Sequence, residues 1–400
     1  MRKVILFFAL ILPIKLLGET ITYKGINYSI SQNKDTAIVT GRSCHSHKVV
    51  IPNYIRYKGI KISVFEIADG AFLNDDEIFQ LKIGGNVQSI GYRAFYGCKN
   101  LDRIYFKYGL RHLSYEAFEG TRWIERQKPG IIYCAKVAYT YKRPEYMPFS
   151  ISIRSGTKSI ASGCFIPAKE IKKIKLPESL MEIGAESFED INIESIVVPE
   201  GVISIGDFAF SGCRHLKDVY IQGCKSIGMS AFYNCDSIQN VTLSKNLEEI
   251  GQFAFSNCIN LQTIEVPAGV KMIHSCAFEN CISLIEVRLN DGLEEIGDDA
   301  FRDCPLKSVS IPSTIKRIGI TSFSNPCLLK TVTIYSEQPP LLIKNTYPNG
   351  VDKLYFSKLI NKYWKCKEGR SLFVPEGSVD KYRNAEGWNI FNSISEISKH

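Results

Sequence analysis

Ile250-Gly251-Gln252-Phe253-Ala254-Phe255-Ser256-Asn257-Cys258-Ile259-Asn260-Leu261-Gln262-Thr263-Ile264-Glu265-Val266-Pro267-Ala268-Gly269-Val270-Lys271-Met272-Ile273 is one copy of a unit that recurs along most of the chain. Its second phenylalanine marks the register. That residue recurs at Phe72, Phe95, Phe118, Phe165, Phe188, Phe210, Phe232, Phe255, Phe278, Phe301 and Phe323. Successive gaps are 22 or 23 residues, except for one of 47, about two periods. A fixed period in this range marks a solenoid, in which each unit is one turn.

Within the unit, Leu261-x-x-Ile264-x-Val266 contains a period-2 alternation and predicts one short strand. Pro267 ends it, because proline has no N–H to give a sheet. Ala254-Phe255 falls in a compact, turn-like or short helical segment on the opposite side, and Gly251 permits the corner before it. A unit this short cannot bury its own Leu, Ile and Phe. Stacked units can, each covering the next. The expectation is a β-rich solenoid of about 12 rungs of 22–23 residues, its strands in one long parallel sheet, with ladders of Phe, Ile and Cys inside.

The motifs Ile90-Gly91-Tyr92-Arg93-Ala94-Phe95-Tyr96-Gly97-Cys98, Ile205-Gly206-Asp207-Phe208-Ala209-Phe210-Ser211-Gly212-Cys213 and Ile296-Gly297-Asp298-Asp299-Ala300-Phe301 resemble a bacterial leucine-rich repeat family of the BspA-like type, found in surface and secreted proteins. Gly130 to Tyr139 looks like the family's long repeat variant. Leu372-Phe373-Val374-Pro375-Glu376-Gly377-Ser378 with Gly387-Trp388 is similar to its C-terminal segment. The resemblance implies a leucine-rich repeat solenoid and, loosely, binding or adhesion, because one fold serves many partners.

The N-terminus carries Arg2 and Lys3, an apolar run from Val4 to Leu12, and Gly18 at a cleavage point, so residues 1–18 read as a signal peptide. Nine apolar residues are too few to span a bilayer, and no later run is long enough. The formal charge of +8 includes Arg2, Lys3 and Lys15, which leaves +5 from Glu19 onward. That balance does not argue for nucleic acid. The expected organisation is a β cap over 19–60, the solenoid over 61–335 with a long inserted repeat at 119–164, and a capping segment over 336–400. The chain is expected to be a monomer that is secreted or held at the cell surface.

Thirteen cysteines in an exported chain raise the question of disulfides. Cys98, Cys213, Cys235, Cys258, Cys281 and Cys304 all lie three residues after the register Phe, where other turns put Asp75, Thr121, Ala168, Ile191 or Pro326. Such varied substitutes suit a corner filled by a small buried thiol rather than a bridge. Cys224, Cys276 and Cys327 stand off this register. No Cys-x-x-Cys pair occurs, and Cys44-His45-Ser46-His47 lacks the second ligand pair of structural zinc, so it reads as a surface loop with no metal.

The 47-residue gap holds Pro129-Gly130 and then the alternating Ile132 to Tyr141, which predicts a strand or hairpin protruding from the solenoid. Arg126, Lys128, Lys142 and Arg143 surround it with Trp123 and three tyrosines, so it reads either as a basic aromatic contact loop or, the favoured reading, as an extended repeat whose aromatics pack on the core. No Walker loop, Gly-x-Ser-x-Gly elbow or His-Glu-x-x-His helix is present. The pairs Glu248-Glu249 and Glu294-Glu295 occupy equivalent positions, as a solvated face would, rather than forming a single acid dyad. No catalytic residue or cofactor is expected.

Strand geometry directs the residues on either side of the central aliphatic outward. The outward row includes Lys82, Arg103 and Tyr105, then Lys173 and Lys175, Asp218 and Tyr220, and Glu286 and Arg288. These are the candidate ligand-binding residues. The early rungs are basic, the middle mixed and the last rich in hydroxyls. The expected function is an exported binding protein, an adhesin or protein–protein interaction module, engaging a protein or polysaccharide through this face. An envelope scaffold without a specific ligand is the alternative, and a polysaccharide-active enzyme a more distant one.

Overall fold

The computed structural model describes residues 19–146, 148–324, 328–343, 369–389 and 391–398. The expected signal peptide, Cys327 and the whole Tyr-, Trp- and Lys-rich stretch 344–367, Cys366 included, lie outside the described residues. The chain divides into two compact units. The first runs to Lys128 and includes Ile132–Val137; the second runs from Ala138 and includes Pro129–Ile131. Both are built from solenoid turns, about 14 in all, close to the twelve expected.

Each full turn has three sides. The first is the expected strand of three or four residues, such as Thr263–Val266. Its inward residues are buried and its outward ones exposed, and Pro267 follows it as expected. The second side is a two-residue strand, such as Met272–Ile273, that sequence reading had assigned to a corner. Two residues are too few to display an alternation, yet these segments pair in parallel in continuous succession, from Ser159–Ile160 through Glu249–Ile250 to Arg317–Gly319 and Leu341–Ile343. The third side carries the register Phe.

The single long sheet expected for the first side is divided. In the first unit, Lys48–Ile51, Gln80–Ile83 and Arg103–Tyr105 form one ladder. In the second unit the strands form ladders of five, two and four, with breaks after Asn240–Thr242 and after Glu286–Leu289. The second side carries the continuous hydrogen bonding there.

On the third side the register rings stack. Phe72, Phe95 and Phe118 do so in the first unit, with centroids 4.8 and 5.3 Å apart. Phe165 to Phe323 form an unbroken pile in the second, with the seven spacings running from 4.9 to 5.4 Å and near-parallel planes. The backbone beneath them is bonded from turn to turn: the N–H of Phe232 donates to Ala254 O, that of Phe255 to Ala277 O, and that of Phe278 to Ala300 O. To aim these donors along the stack, residues two before and two after the ring adopt positive φ. The later position holds Asn74, Asp190, Asn234, Asn257 and Asn280, or glycine, residue types that enter this region at low cost. The earlier one holds Arg93, Glu116, Phe208, Phe253 and Cys276, with φ of 52 to 59°, held there by the surrounding bonds.

All eleven cysteines among the described residues are free thiols. The six at the register position are buried, and each thiol donates to the carbonyl oxygen of the register Phe one turn earlier. The distances are 2.9 Å for Cys98 to Phe72 O, 3.1 Å for Cys213 to Phe188 O and 3.3 Å for Cys258 to Phe232 O. Burial pushes the thiol of Cys98 up to about 12 and that of Cys258 well above its ordinary range. Cys224, off the register, donates instead to Ser226 O at 2.9 Å. A thiolate-seeking aromatic disulfide reagent at pH 8 is therefore expected to leave the register thiols unmodified in the folded protein and to titrate them only in denaturant. Rapid native labelling of Cys258 would overturn this assignment.

The first unit opens with Thr20–Tyr23 and Ile26–Ile30 as an antiparallel hairpin, turning at Lys24 and Gly25, both with positive φ. Thr36–Arg42 follows and pairs in parallel with Ile60–Ile67. The interruption contains a short helix, Arg122–Glu125, and the strands Gly130–Cys134 and Val137–Lys142. Part of its aromatic set faces inward, whereas Tyr146 and Phe149 of the same insert are exposed. Tyr139 and Tyr141 are buried, and Trp123 lies 5.5 Å edge-on to Phe118. Near the C-terminus, Ser371–Val374 and Ser393–Glu396 add two strands, with the helix Val379–Asn384 between them in sequence.

Candidate interaction face

The outward positions of the first-side strands stand in rows because the parallel register matches residue to residue. In the first unit one row is Lys48, Gln80 and Arg103, and the next is Val50, Lys82 and Tyr105. Lys82 Nζ lies 5.5 Å from the Tyr105 ring centre and Arg103 lies 5.6 Å from Phe79. Three cations thus share this small face with two exposed aromatic rings, and the largely buried carboxylate of Asp102 lies 3.8 Å from Arg103 Nε.

In the second unit Lys173 stands between Ser150 and Ser195, and Lys175 is paired with Ser152. Phe149, 71% exposed, sits just ahead of this strand with Lys172 Nζ 5.8 Å from its ring. Further along, Asp218 accepts from Asn240 Nδ2 at 2.7 Å, and Tyr220 is registered with Val197 and Thr242. Glu286 accepts from Arg288 Nε at 2.8 Å, a bond that raises the arginine's pKa. The last ladder presents Ser308, Thr331, Ser371 and Ser393 in one row, with Ser371 Oγ and Ser393 Oγ 2.9 Å apart.

Every sequence-named face residue therefore points outward, but the residues do not converge on one site; they are distributed over separate ladders in two units. Sequence reading missed Lys48 and Val50, although Lys48-Val49-Val50-Ile51-Pro52 carries the same strand-then-proline phrase. It also missed Phe79 and Phe149. Their signal was an aromatic at the residue before the strand, where later turns have Lys172, Glu194, Lys217, Gln239 and Gln262.

Charge is also more segregated than the face alone suggested. The first unit, counted over 19–128 and 132–137, holds 17 Lys and Arg against 11 Asp and Glu, a net +6. In the second unit, 142–175 holds 8 basic and 2 acidic residues, whereas 176–306 holds 7 basic and 21 acidic. Many of these acids are paired by a neighbouring turn. Glu249 meets His274 Nε2 at 2.7 Å, Glu248 meets Lys225 at 3.1 Å, Glu294 meets Lys316 at 2.6 Å, and Glu295 meets Arg317. The Glu-Glu pairs are thus engaged in ladder ion pairs. In the loop read as a surface segment, His45 leans on the Glu77 carboxylate at 3.0 Å and His47 Nδ1 lies 2.8 Å from its main-chain oxygen.

The family model of the BspA-type leucine-rich repeat region matches six copies, over residues 54–129, 148–223 and 221–330. The chain belongs to the BspA-type leucine-rich repeat family. No curated protein matches it in sequence. Its fold is similar to a leucine-rich repeat protein from Bacteroides ovatus, 21% identical over 74% of this chain and 95% of that one, with a TM-score of 0.30. It is also similar to a leucine-rich cell surface protein from Faecalibacterium prausnitzii, 20% identical over 79% and 94% of the two chains, with a TM-score of 0.31. The pneumococcal vaccine antigen PcpA is 18% identical over 96% and 100%, with a TM-score of 0.38. Among the described residues of this BspA-type chain no helix is long and apolar enough to cross a membrane.

Proposed function

We propose that this BspA-type chain is an exported, non-catalytic binding protein whose first-side strand face captures a macromolecule at a cell surface or in an extracellular matrix, as an adhesin or interaction module does. One contrast carries the reading. The letters that repeat are buried, whereas the outward row varies from turn to turn and sets cations beside exposed aromatics, Lys82 by Tyr105, Arg103 by Phe79 and Lys172 by Phe149, with Lys173 and Lys175 following Lys172 on the exposed face. A face that only had to stay solvated would not need exposed rings next to its cations. Aromatic and arginine side chains are instead the residues that dominate binding surfaces, and a basic face selects and steers acidic partners.

The triple variant Arg103→Glu, Lys173→Glu, Lys175→Glu tests this. All three side chains are exposed, so melting is expected to stay within a few degrees of the parent. Capture on immobilised host matrix is expected to fall by about tenfold or more, with a weaker salt dependence than the parent shows. Unchanged capture would count against the face. Capture by the producing cell's own envelope alone, insensitive to the triple variant, would favour a scaffold.

A further inference from the structure

The outward face of the second unit changes character along the stack. Its first-side strands begin with Ser150–Ser152 and Lys173–Lys175 and continue through Ser195–Val198, Asp218–Ile221, Asn240–Thr242 and Thr263–Val266 to Glu286–Leu289. Lys172, Lys173 and Lys175 stand toward one end, and Glu265 and Glu286 toward the other. Large apolar side chains are exposed along the same face, at Phe149, Val197, Tyr220 and Ile285. We propose that this face binds a second copy of the chain, in a two-fold dimer that opposes the turns in reversed order.

Charge selects that arrangement. A two-fold axis along the stack would set each turn against its own copy, lysines on lysines, and like charges across an interface repel. An axis along the strands, through the turn of Asp218–Ile221, reverses the order instead. The Lys173–Lys175 turn then meets Thr263–Val266 of the second copy, and the Ser150–Ser152 turn meets Glu286–Leu289. Strand direction is kept under this rotation. Lys175 therefore comes opposite Glu265, and Phe149, the residue before its strand, comes opposite Ile285, the residue before its own. Val197 faces Thr242, and Tyr220 faces itself at the axis. The same axis sets the basic stretch 142–175 over the acidic turns beyond it.

The charges at both ends are available for these contacts. Neither Lys173 nor Lys175 joins an ion pair among the described residues. Glu265 accepts from the neutral Asn290 Nδ2 at 3.3 Å, and Arg288 is taken up by Glu286 at 2.8 Å. Each contact occurs twice by symmetry. One like-charge approach remains, Asp218 toward its own copy at the axis, where it accepts from Asn240 Nδ2 at 2.7 Å. Turns spaced ~4.8 Å apart, each giving about five residues at ~3.3 Å, cover roughly 500–600 Å² per copy, the low end for a specific interface. The dimer is therefore weak and reversible. It occupies Lys173 and Lys175, so a macromolecule drawn to those lysines competes with the second copy.

The test is sedimentation velocity of the full chain at low salt, from micromolar to near-millimolar concentration. No ligand is present, so the outcome is independent of whether the protein captures a macromolecule. A reversible monomer–dimer equilibrium is expected, weakening as salt rises. Lys175→Glu and Glu265→Lys are each expected to weaken association by about tenfold or more. The double variant Lys175→Glu, Glu265→Lys is expected to restore it, because both pairs are then reversed rather than lost. Asp218→Asn, which keeps an acceptor for Asn240, is expected to tighten the dimer by about threefold, as removal of a like-charge approach should. All four positions are on the solvent face, so melting within a few degrees of the parent confirms that each variant is folded. The proposal is overturned if the chain stays monomeric throughout, if either charge reversal leaves the dimer unchanged, or if the double variant associates no better than the single ones. Weaker association of Asp218→Asn, or species larger than a dimer that grow with concentration, would overturn it as well.

Discussion

Replacing Phe255 with alanine is expected to destabilise the second unit by about 3–5 kcal/mol, the range for deleting a large buried aromatic. The ring is fully buried and stacked on both sides, 5.0 Å from Phe232 and 5.4 Å from Phe278. Its N–H and carbonyl also lie at the turn-to-turn junction, donating to Ala277 O and accepting the thiol of Cys281 at 3.2 Å. A cavity there cannot be closed by local collapse, because the neighbouring rings are pinned by their own backbone bonds. In a solenoid each turn is held mainly by its neighbours, so weakening one interior interface should also divide the unfolding. Urea or thermal denaturation followed by circular dichroism is expected to show a lower midpoint and a broadened or split transition. Phe255→Leu, which conserves most of the volume, should cost clearly less. A loss below about 1 kcal/mol for the alanine variant would mean that the stack contributes shape but little stability.

The legible part of this fold was the part that must be repeated. A buried ring that meets its own copy every turn has no freedom to drift in sequence, so Phe72 to Phe323 announce both the period and the interior. The 47-residue gap was legible for the same reason, as a failure of that recurrence. The second-side strands were not, because Ser226–Ile227 or Glu249–Ile250 has two residues and no room for a pattern. Breaks in the first-side ladder were also invisible: Thr263 and Asn240 carry the same strand phrase whether or not their main chains bond. The candidate face was legible only in direction. Alternation showed that Arg103 and Lys175 face solvent, but nothing in a single strand shows that Phe79 lies against Arg103 or Phe149 against Lys172.

The substitutes at the cysteine position follow from the same geometry. The register thiol needs a carbonyl one turn earlier, and its bond is weak enough that Ala168 and Ile191 can do without it. Thr121 redirects its hydroxyl to Phe118 O at 2.7 Å and accepts from Ile124 N at 3.2 Å, so the position becomes the N-cap of the short helix Arg122–Glu125. Asp75 stands at the first register turn, where no earlier register Phe exists to accept a thiol. The strand Thr36–Arg42 lies there instead, and it delivers an arginine.

Arg42 is accordingly expected to be the most sensitive polar residue of the first unit. Its side chain is only 6% exposed, and its guanidinium grips Asp75 in a two-bond fork, Nε to Oδ2 and Nη2 to Oδ1, both at 2.6 Å. It also reaches Glu77 at 3.1 Å and donates to Ser46 O. Arg42→Met would leave the largely buried carboxylate of Asp75 without its partner, and breaking such a pair costs about 3–5 kcal/mol when the remaining charge stays buried. Because Asp75 is 18% exposed, water can relieve part of this, and the lower end is expected. The double variant Arg42→Met, Asp75→Cys restores the thiol used in the later turns and removes both charges. Apolar replacement of a buried pair is often nearly neutral, so this variant is expected to be more stable than Arg42→Met alone, with a coupling energy of about 2 kcal/mol or more in the double-mutant cycle. Chemical denaturation of all four proteins measures it. A double variant no more stable than the single one would show that the first turn needs the arginine for its shape rather than for its charge.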